Sequence, residues 1–560
     1  MKVSEIPYKR YTIEEGKADF AKFKNAAENA KCTDDVINAR ETHIKRLIVE
    51  YSTAASLANC RFTLNTRDEF YSQEMAYYDE HSPLFEKLLT DYADIMLSSP
   101  FRAELEKKLN PQLFKSYETA KKAFDERIIA ESQEENAVVT EYSKFMSELE
   151  FDYDGKNMPL SVLRGYLEDS NRAVRKSAAE AIGTGLSKVG DRLDDIYDRL
   201  VKIRTKMAKK MGYKNFVELG YYRMGRTDYN AEMVAKFREN VLRDLVPCVA
   251  RIKAQTANEL GLNRIMYYDD AVYTVGEAPT PITDSESIFT AAQKMYDDMS
   301  EEIGAFMHEM RDAEAFDVVA RDGKWGGGYC TEFAKYKQPF ILANFNGTSG
   351  DVDVITHEFG HALASSFVYK YGDVELSVGG METAECHSMS MEFLCWPYME
   401  SFFGDAADKY RKKHLLSALS FIPYGVIVDE FQHIMYEQYD LTPEQRKEVY
   451  RRCEEKYRPY MSFEGLPYLE EGTRWQYQMH IYETPFYYID YCLAQTVAIG
   501  FLLKSRDNYR EALDSYLKFA KAGGTKPFGQ LVSDAGIASP FKDGALSEMS
   551  KKVEKTASEL

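Results

Sequence analysis

The chain has 560 residues, 44% of them hydrophobic, and a net charge of −19 at pH 7. That length is ample for an extensive core and for two or three subdomains, and no run approaches 18 uninterrupted apolar residues, which argues against a helical membrane span. The acidity opposes nucleic acid or an anionic membrane surface as a partner, and solubility is its simplest cause.

The opening stretch, MKVSEIPYKRYTIEEGKADF, lacks the apolar core of a secretory signal. The eight cysteines (32, 60, 248, 330, 386, 395, 453, 492) include no Cys-Xaa-Xaa-Cys pair, which suits free thiols in a reducing compartment. A cytoplasmic location is therefore expected. In chain order, DDVINARETHIKRLIVEYSTAASLANCRFTL (34–64), SPLFEKLLTDYADIMLSS (82–99) and RAVRKSAAEAIGTGLSKVGDRLDDIYDRLVKIRTKMAKKMG (172–212) repeat apolar residues every three or four positions. Charges fill the gaps, so these predict helices. Asp154-Gly155 and Lys156-Asn157 read as turns.

The rhythm changes between about 318 and 346. Residues 325–330 (WGGGYC) and 339–345 (PFILANF) predict two short strands followed by an Asn346-Gly347 turn. An extended peptide could pair with a free edge of PFILANF, although an ordinary covered strand fits equally well. The next helix is expected to be capped by Thr348 or Asp351 and to stop at Gly372. Helical patterns then run to the C-terminus. The expected fold is mainly α with a small β-sheet, divided into an N-terminal helical region (1–160) and a catalytic helical region (161–560), though no Pro/Gly/Ser-rich linker marks the division.

Within that helix, residues 357–361 read His-Glu-Phe-Gly-His. Histidines four apart differ by about 40° of rotation and roughly 6 Å of rise, so both imidazoles leave one face, as two ligands of a tetrahedral Zn²⁺ require. Glu358, inside the pair, is placed to take a proton from an activated water. A catalytic zinc needs a third protein ligand and one open position. Downstream, GGMETAECHSMSMEFLCW offers Glu382, Glu385, His387 and Glu392.

The irregular run 373–382 can bring the chain back after the first helix, and Glu385 then falls in the first turn of the next, where the dipole favours a carboxylate. Glu392 lies seven residues on, about 10 Å along the axis, too far to share the ion. Either Glu392 or Glu382 is available to orient a histidine through its other ring nitrogen. His387 points about 200° away from Glu385 and reads as a packed histidine or one that braces a ligand from behind. Glu385 is the expected third ligand, with His357 and His361.

HEFGHA, a glutamate 24 residues after the second histidine, and HIYETPFYYIDYCLA at 480–494 together resemble the thimet oligopeptidase and oligoendopeptidase F family of zinc peptidases. The length and the lead-in NFNGTSGDVDVITHEFGH are most similar to its bacterial oligoendopeptidase branch. Angiotensin-converting-enzyme-like dipeptidases share a similar metal motif, and the aromatic segment is what separates the two. The resemblance implies one Zn²⁺ per chain at the base of a deep, helix-walled channel, and oligopeptide substrates cut at internal bonds. It implies that His480, Tyr488 and Tyr491 bind substrate and stabilise the intermediate, with Tyr482 and Tyr487 as competitors for the tyrosine positions. A tyrosine-rich core helix is the alternative for this segment. For the whole chain the alternatives are a zinc exopeptidase of similar mechanism and an inactive peptide-binding relative.

Overall fold

The computed structural model describes residues 1–282, 284–376 and 379–560. The sequence 34–64 is helical throughout but is interrupted by a π turn, Arg40–Ile44, ahead of α1 (Lys45–Leu64). The wider turn buries the Arg40 guanidinium, which pairs at 2.7 Å with both Asp373 and Glu375 and so ties N-terminal helices to the connection after the His-Glu helix. The helix expected at 82–99 starts earlier. α2 spans Glu69–Ser98, with the Asp68 carboxylate accepting from the Tyr71 amide as its cap and Pro83 tolerated inside. The pattern over 172–212 is two helices, Arg172–Ser187 and α3 (Gly190–Lys210).

Between α2 and α3, β1 (Glu150–Tyr153) and β2 (Lys156–Pro159) form an antiparallel hairpin. Its turn residues Asp154 and Gly155 both have positive φ, 53° and 71°. That is the backbone a two-residue hairpin needs and the reason the Asp-Gly pair stands there. A minimal parallel pair joins β3 (Ile265–Met266) to a strand near residue 461.

The sheet that matters for function has three strands in the order β4-β6-β5: β4 (Phe316–Val319), β5 (Tyr329–Phe333) and β6 (Gln338–Phe345). β6 runs parallel to β4 and antiparallel to β5. The stretch PFILANF is therefore the central strand, so of the two readings of it the covered strand holds and the free edge does not. β4, which the alternation of residues did not reveal, covers that side. The outer strand is β5, and the Gly326–Gly328 run precedes it. Asn344 of β6 donates to the Trp325 and Gly327 carbonyls and pins this glycine segment against the sheet.

α4 (Gly350–Tyr371) follows the sheet and carries the His-Glu motif. Ser349 is its N-cap and makes no side-chain cap bond. Asp351 instead accepts from the amides of Asn346 and Gly347, and the Thr348 hydroxyl accepts from the Gly350 amide, so both expected caps brace the preceding turn. The helix stops before Gly372 as expected. α5 (Met381–Leu394), α6 (Ala407–Glu437), α7 (Tyr488–Asp507) and α8 (Tyr509–Ala522) complete the centre. The strand β7 (Met461–Ser462) lies between α6 and α7 and is the partner of β3. Unlike the amphipathic outer helices, α5 is buried on nearly every side, packed between α4 and α7.

No helix among the described residues is long and apolar enough to cross a membrane. The eight cysteines are free thiols.

Gly360 explains how closely α4 and α5 approach. A Cβ there would sit 2.7 Å from both the His387 carbonyl oxygen and Ser388 Cα. Both obstacles belong to the α5 backbone and cannot swing aside. Gly360→Ala is expected to cost about 1–3 kcal/mol by forcing the helices apart. Thermal melting would show it as a lowered midpoint, and an unchanged midpoint would mean the crossing has slack.

Candidate metal centre and active site

α4 presents His357 and His361 one turn apart, and the crossing of Gly360 on His387 and Ser388 brings the second turn of α5 beneath them; α5 begins at Met381, so Glu385 falls just past the first turn expected for it. Glu385 Oε2 lies 3.5 Å from His357 Nε2 and 3.6 Å from His361 Nε2. One ligand atom from each of the three residues falls within 4.8 Å of the others, a separation that a single ion can bridge. The donor set fits zinc: two imidazole nitrogens, one carboxylate oxygen and a side open enough to leave the imidazoles about one-fifth exposed. Glu385 itself is buried. Burial alone would raise its pKa, but the two imidazoles hold it well below the usual carboxylate range.

A further ring of contacts orients these groups. Glu392, near the end of α5, accepts from His357 Nδ1 at 2.6 Å and from His414 Nε2 of α6 at 2.7 Å. This leaves the His357 Nε2 lone pair directed at the cluster. Burial opposes the Glu392 charge, yet the hydrogen bonds from His357 and His414 bring its pKa down to about 2. Burial would lower the His357 pKa, but Glu385 and Glu392 outweigh it and raise the pKa well above the ordinary value. Glu382, the other residue open to that orienting role, faces away and accepts from the Tyr229 hydroxyl at 3.2 Å. His387 is fully buried against Phe519, in keeping with a packed histidine.

Glu358 lies on α4 between the two histidines and is 8% exposed. Burial raises its pKa against the lowering pull of His357 and His361. The aromatic segment converges on the same place. His480, on a short helix (Met479–Glu483), stands 5.0 Å from the Tyr488 ring, 5.6 Å from Tyr491 and 5.8 Å from Tyr487, centroid to centroid. Burial lowers its pKa to about 4, so the ring is neutral near pH 7. Its Nδ1 meets Gln478 Nε2 at 2.9 Å.

The tyrosines separate by role in the structure. Tyr487 donates its hydroxyl to Glu385 Oε1, and its ring packs 4.8 Å from Tyr491. Tyr491 is raised in pKa first by burial and then by the Glu385 and Glu358 carboxylates near it. Tyr488 is buried against Phe421 and Tyr424 beside His480. Tyr482 stacks at 3.9 Å on Tyr142 and belongs to the core.

The turn that delivers Tyr487 is strained. Phe486 has φ +67°, rare for an aromatic residue. Its amide donates to Gln432 and its carbonyl accepts from Arg226, which also pairs with Asp490 at 2.7 Å. Arg226, His414, Gln432 and Gln478 carry no motif, and the sequence held no signal for them. Each is an isolated polar residue in a helical stretch or loop, given meaning only by what folds against it.

Fold and site together define a mainly helical protein built around a buried two-imidazole, one-carboxylate centre. The description "Peptidase family M3" matches residues 165–551 and "Peptidase M3 N-terminal domain" matches 3–124, so the chain belongs to peptidase family M3. It is 24% identical over 387 residues to oligopeptidase PepF of Bacillus subtilis (strain 168), a match covering 66% of this chain and 55% of that relative. The chain thus spans little more than half of that protein's length. An oligoendopeptidase F homolog of Lactococcus lactis subsp. lactis (strain IL1403) is 23% identical over 422 residues, covering 70% of this chain and 66% of the relative. Among solved structures, PZ peptidase A with an inhibitor superposes with a TM-score of 0.96 at 43% identity, covering 100% of this chain and 99% of that one. Oligoendopeptidase-F from Enterococcus faecium shares the fold at a TM-score of 0.64 and 18% identity, covering 98% and 97%.

Glu385→Ala should leave two imidazoles without their carboxylate partner. The purified variant is expected to lose metal on gel filtration where the parent retains about one equivalent. Full retention, read by elemental analysis, would point to a different third ligand.

Proposed function

We propose that this protein is a zinc-dependent endopeptidase that hydrolyses internal bonds of short unfolded peptides. The observation that carries the reading is the convergence of His357, His361 and Glu385 with Glu358 between the histidines. His357, His361 and Glu385 would hold one zinc ion. When bound, that ion supplies Lewis acidity, polarising the scissile carbonyl and lowering the pKa of water at the site towards neutrality.

The remaining work falls to the protein. Glu358 takes the proton of the attacking water on its carboxylate and passes it to the departing amine nitrogen. The raised basicity that burial gives this group suits a carboxylate that must hold a proton briefly near neutral pH. Tyr491, Tyr488 and His480 act on the oxygen of the former carbonyl. A neutral imidazole and phenol hydroxyls are hydrogen-bond donors that need no reorganisation as charge develops there. Tyr487 steadies Glu385 from the side opposite the imidazoles. The outer strand β5 runs beside α4, and its outer edge, to which no strand pairs among the described residues, suits with the adjoining glycines an extended substrate backbone, whose recognition through main-chain bonds tolerates varied side chains. A narrow helix-walled channel would exclude folded proteins by size.

Two variants test the assignment. Glu358→Gln should keep stoichiometric zinc yet lose peptide cleavage by about 100- to 10,000-fold. Near-normal turnover would remove Glu358 from the proton-transfer step. Tyr491→Phe should depress kcat by roughly 100-fold while leaving KM little changed, because the bond forms chiefly in the transition state. An unaltered kcat would return Tyr491 to a packing role. Mass analysis of products from one blocked peptide separates interior cuts from the terminal ladder an exopeptidase would leave.

A further inference from the structure

Behind the metal ligands, a chain of three hydrogen bonds runs outward from His357 into the protein. His357 Nδ1 bonds Glu392 Oε1 at 2.6 Å, Glu392 Oε2 bonds His414 Nε2 at 2.7 Å, and His414 Nδ1 meets Trp396 Nε1 at 2.9 Å. The burial deepens along the chain: the side chains of His357, Glu392 and His414 are 22%, 14% and 10% exposed, and Trp396 is 5% exposed.

The far end sets the polarity of the whole chain. An indole N–H can only donate, so His414 Nδ1 must accept and its proton must sit on Nε2. That proton points at Glu392 Oε2, and the carboxylate, when ionised, accepts on Oε1 as well. The second acceptance fixes the His357 proton on Nδ1 and leaves the Nε2 lone pair free for a cation. Trp396 has a single bonding role, which no amide flip or hydroxyl rotation can change.

The surrounding groups hold the imidazole in that pose. Tyr410 stacks on His414 with an interplanar angle of 12° and a centroid separation of 5.6 Å, and its hydroxyl donates to Asp353. Phe393 covers the ring at 4.7 Å. Burial opposes a charge on His414, as does Lys413, while Glu392 and Asp353 favour one, with a net raised pKa. Protonating Nδ1, however, would set two N–H groups against each other across 2.9 Å.

We propose that His414, held by Trp396 as an Nε2–H donor, is a positioning residue of the metal centre that fixes the Glu392 carboxylate and so keeps His357 aimed at the ion. The proposal rests on the zinc reading above and goes beyond it to the third layer of residues, on a different helix from any ligand.

Zinc affinity, measured by equilibrating the zinc-loaded protein with a chelator of known strength, tests it without recourse to turnover. His414→Leu keeps the ring's bulk but removes both nitrogens and should weaken zinc binding by about 10- to 100-fold. His414→Gln, whose carboxamide can accept from Trp396 and donate to Glu392, should recover most of that loss. Unchanged affinity in the folded Leu variant would overturn the proposal, as would a Gln variant as weak as Leu, which would reduce His414 to a matter of shape.

Nitrogen NMR of the unaltered protein labelled at histidine supplies a readout that survives if a variant fails to fold. His414 is expected as an Nε2–H tautomer at neutral pH, and an Nδ1–H tautomer or an imidazolium there would also overturn the assignment. A parent protein that takes up no zinc would instead sink the metallopeptidase reading, so the two failures are distinguishable.

Discussion

A carboxylate removed from water stays ionised only if something replaces its hydration, and around Glu385 that requirement organises the molecule. Two imidazoles face one oxygen, Tyr487 donates to the other, and the Ser388 hydroxyl lies 3.3 Å from Oε2. Each of these groups sits on a different turn or helix. The position of one buried charge therefore constrains α4, α5 and the start of α7 together, because an unpaired charge at this depth would be far costlier than any single packing defect. The same demand favours a divalent cation there, since a cation between the donors satisfies the carboxylate more fully than neutral imidazoles can.

Close packing is what makes that convergence possible. α4 and α5 meet through a position with no side chain, so the backbone of α5 lies directly against the helix that bears the histidines. α5 in turn is enclosed by α7, and the run into α7 is gripped at Phe486 by Gln432 and Arg226, one on each backbone polar group. A left-handed aromatic residue costs of order 1–3 kcal/mol and persists only where its surroundings over-determine it. Here they direct the next residue, Tyr487, onto Glu385. The β-sheet adds a rigid flank, with β6 locked on both sides and β5 alongside the motif helix.

Much of the site was legible in the residues because its chemistry is local. His357, Glu358 and His361 share one helical face by arithmetic alone, and Glu385 could be chosen over Glu392 and His387 from rise and rotation. The Asp154-Gly155 hairpin and the stop at Gly372 follow from backbone preferences confined to one or two residues. Errors arose, and alternatives stayed open, where a neighbour distant in sequence decides. PFILANF has the composition of a strand in any setting, but whether its edge is free depends on β4, which pairs with it across the whole intervening hairpin. The start of α2 at Glu69 and the braces made by Asp351 and Thr348 were likewise settled by how the chain enters each helix.

The amino-acid sequence by itself determined the residue types of the candidate metal centre, their spacing along two helices and the mainly α character, since periodicity and side-chain chemistry act within a few residues. Tertiary structure alone decided which tyrosine touches Glu385, that Gln478 meets His480, and that Trp396 and His414 stand behind Glu392. Those contacts join residues from separate helices, and hydrogen-bond geometry exists only once packing has set the distance and angle between them.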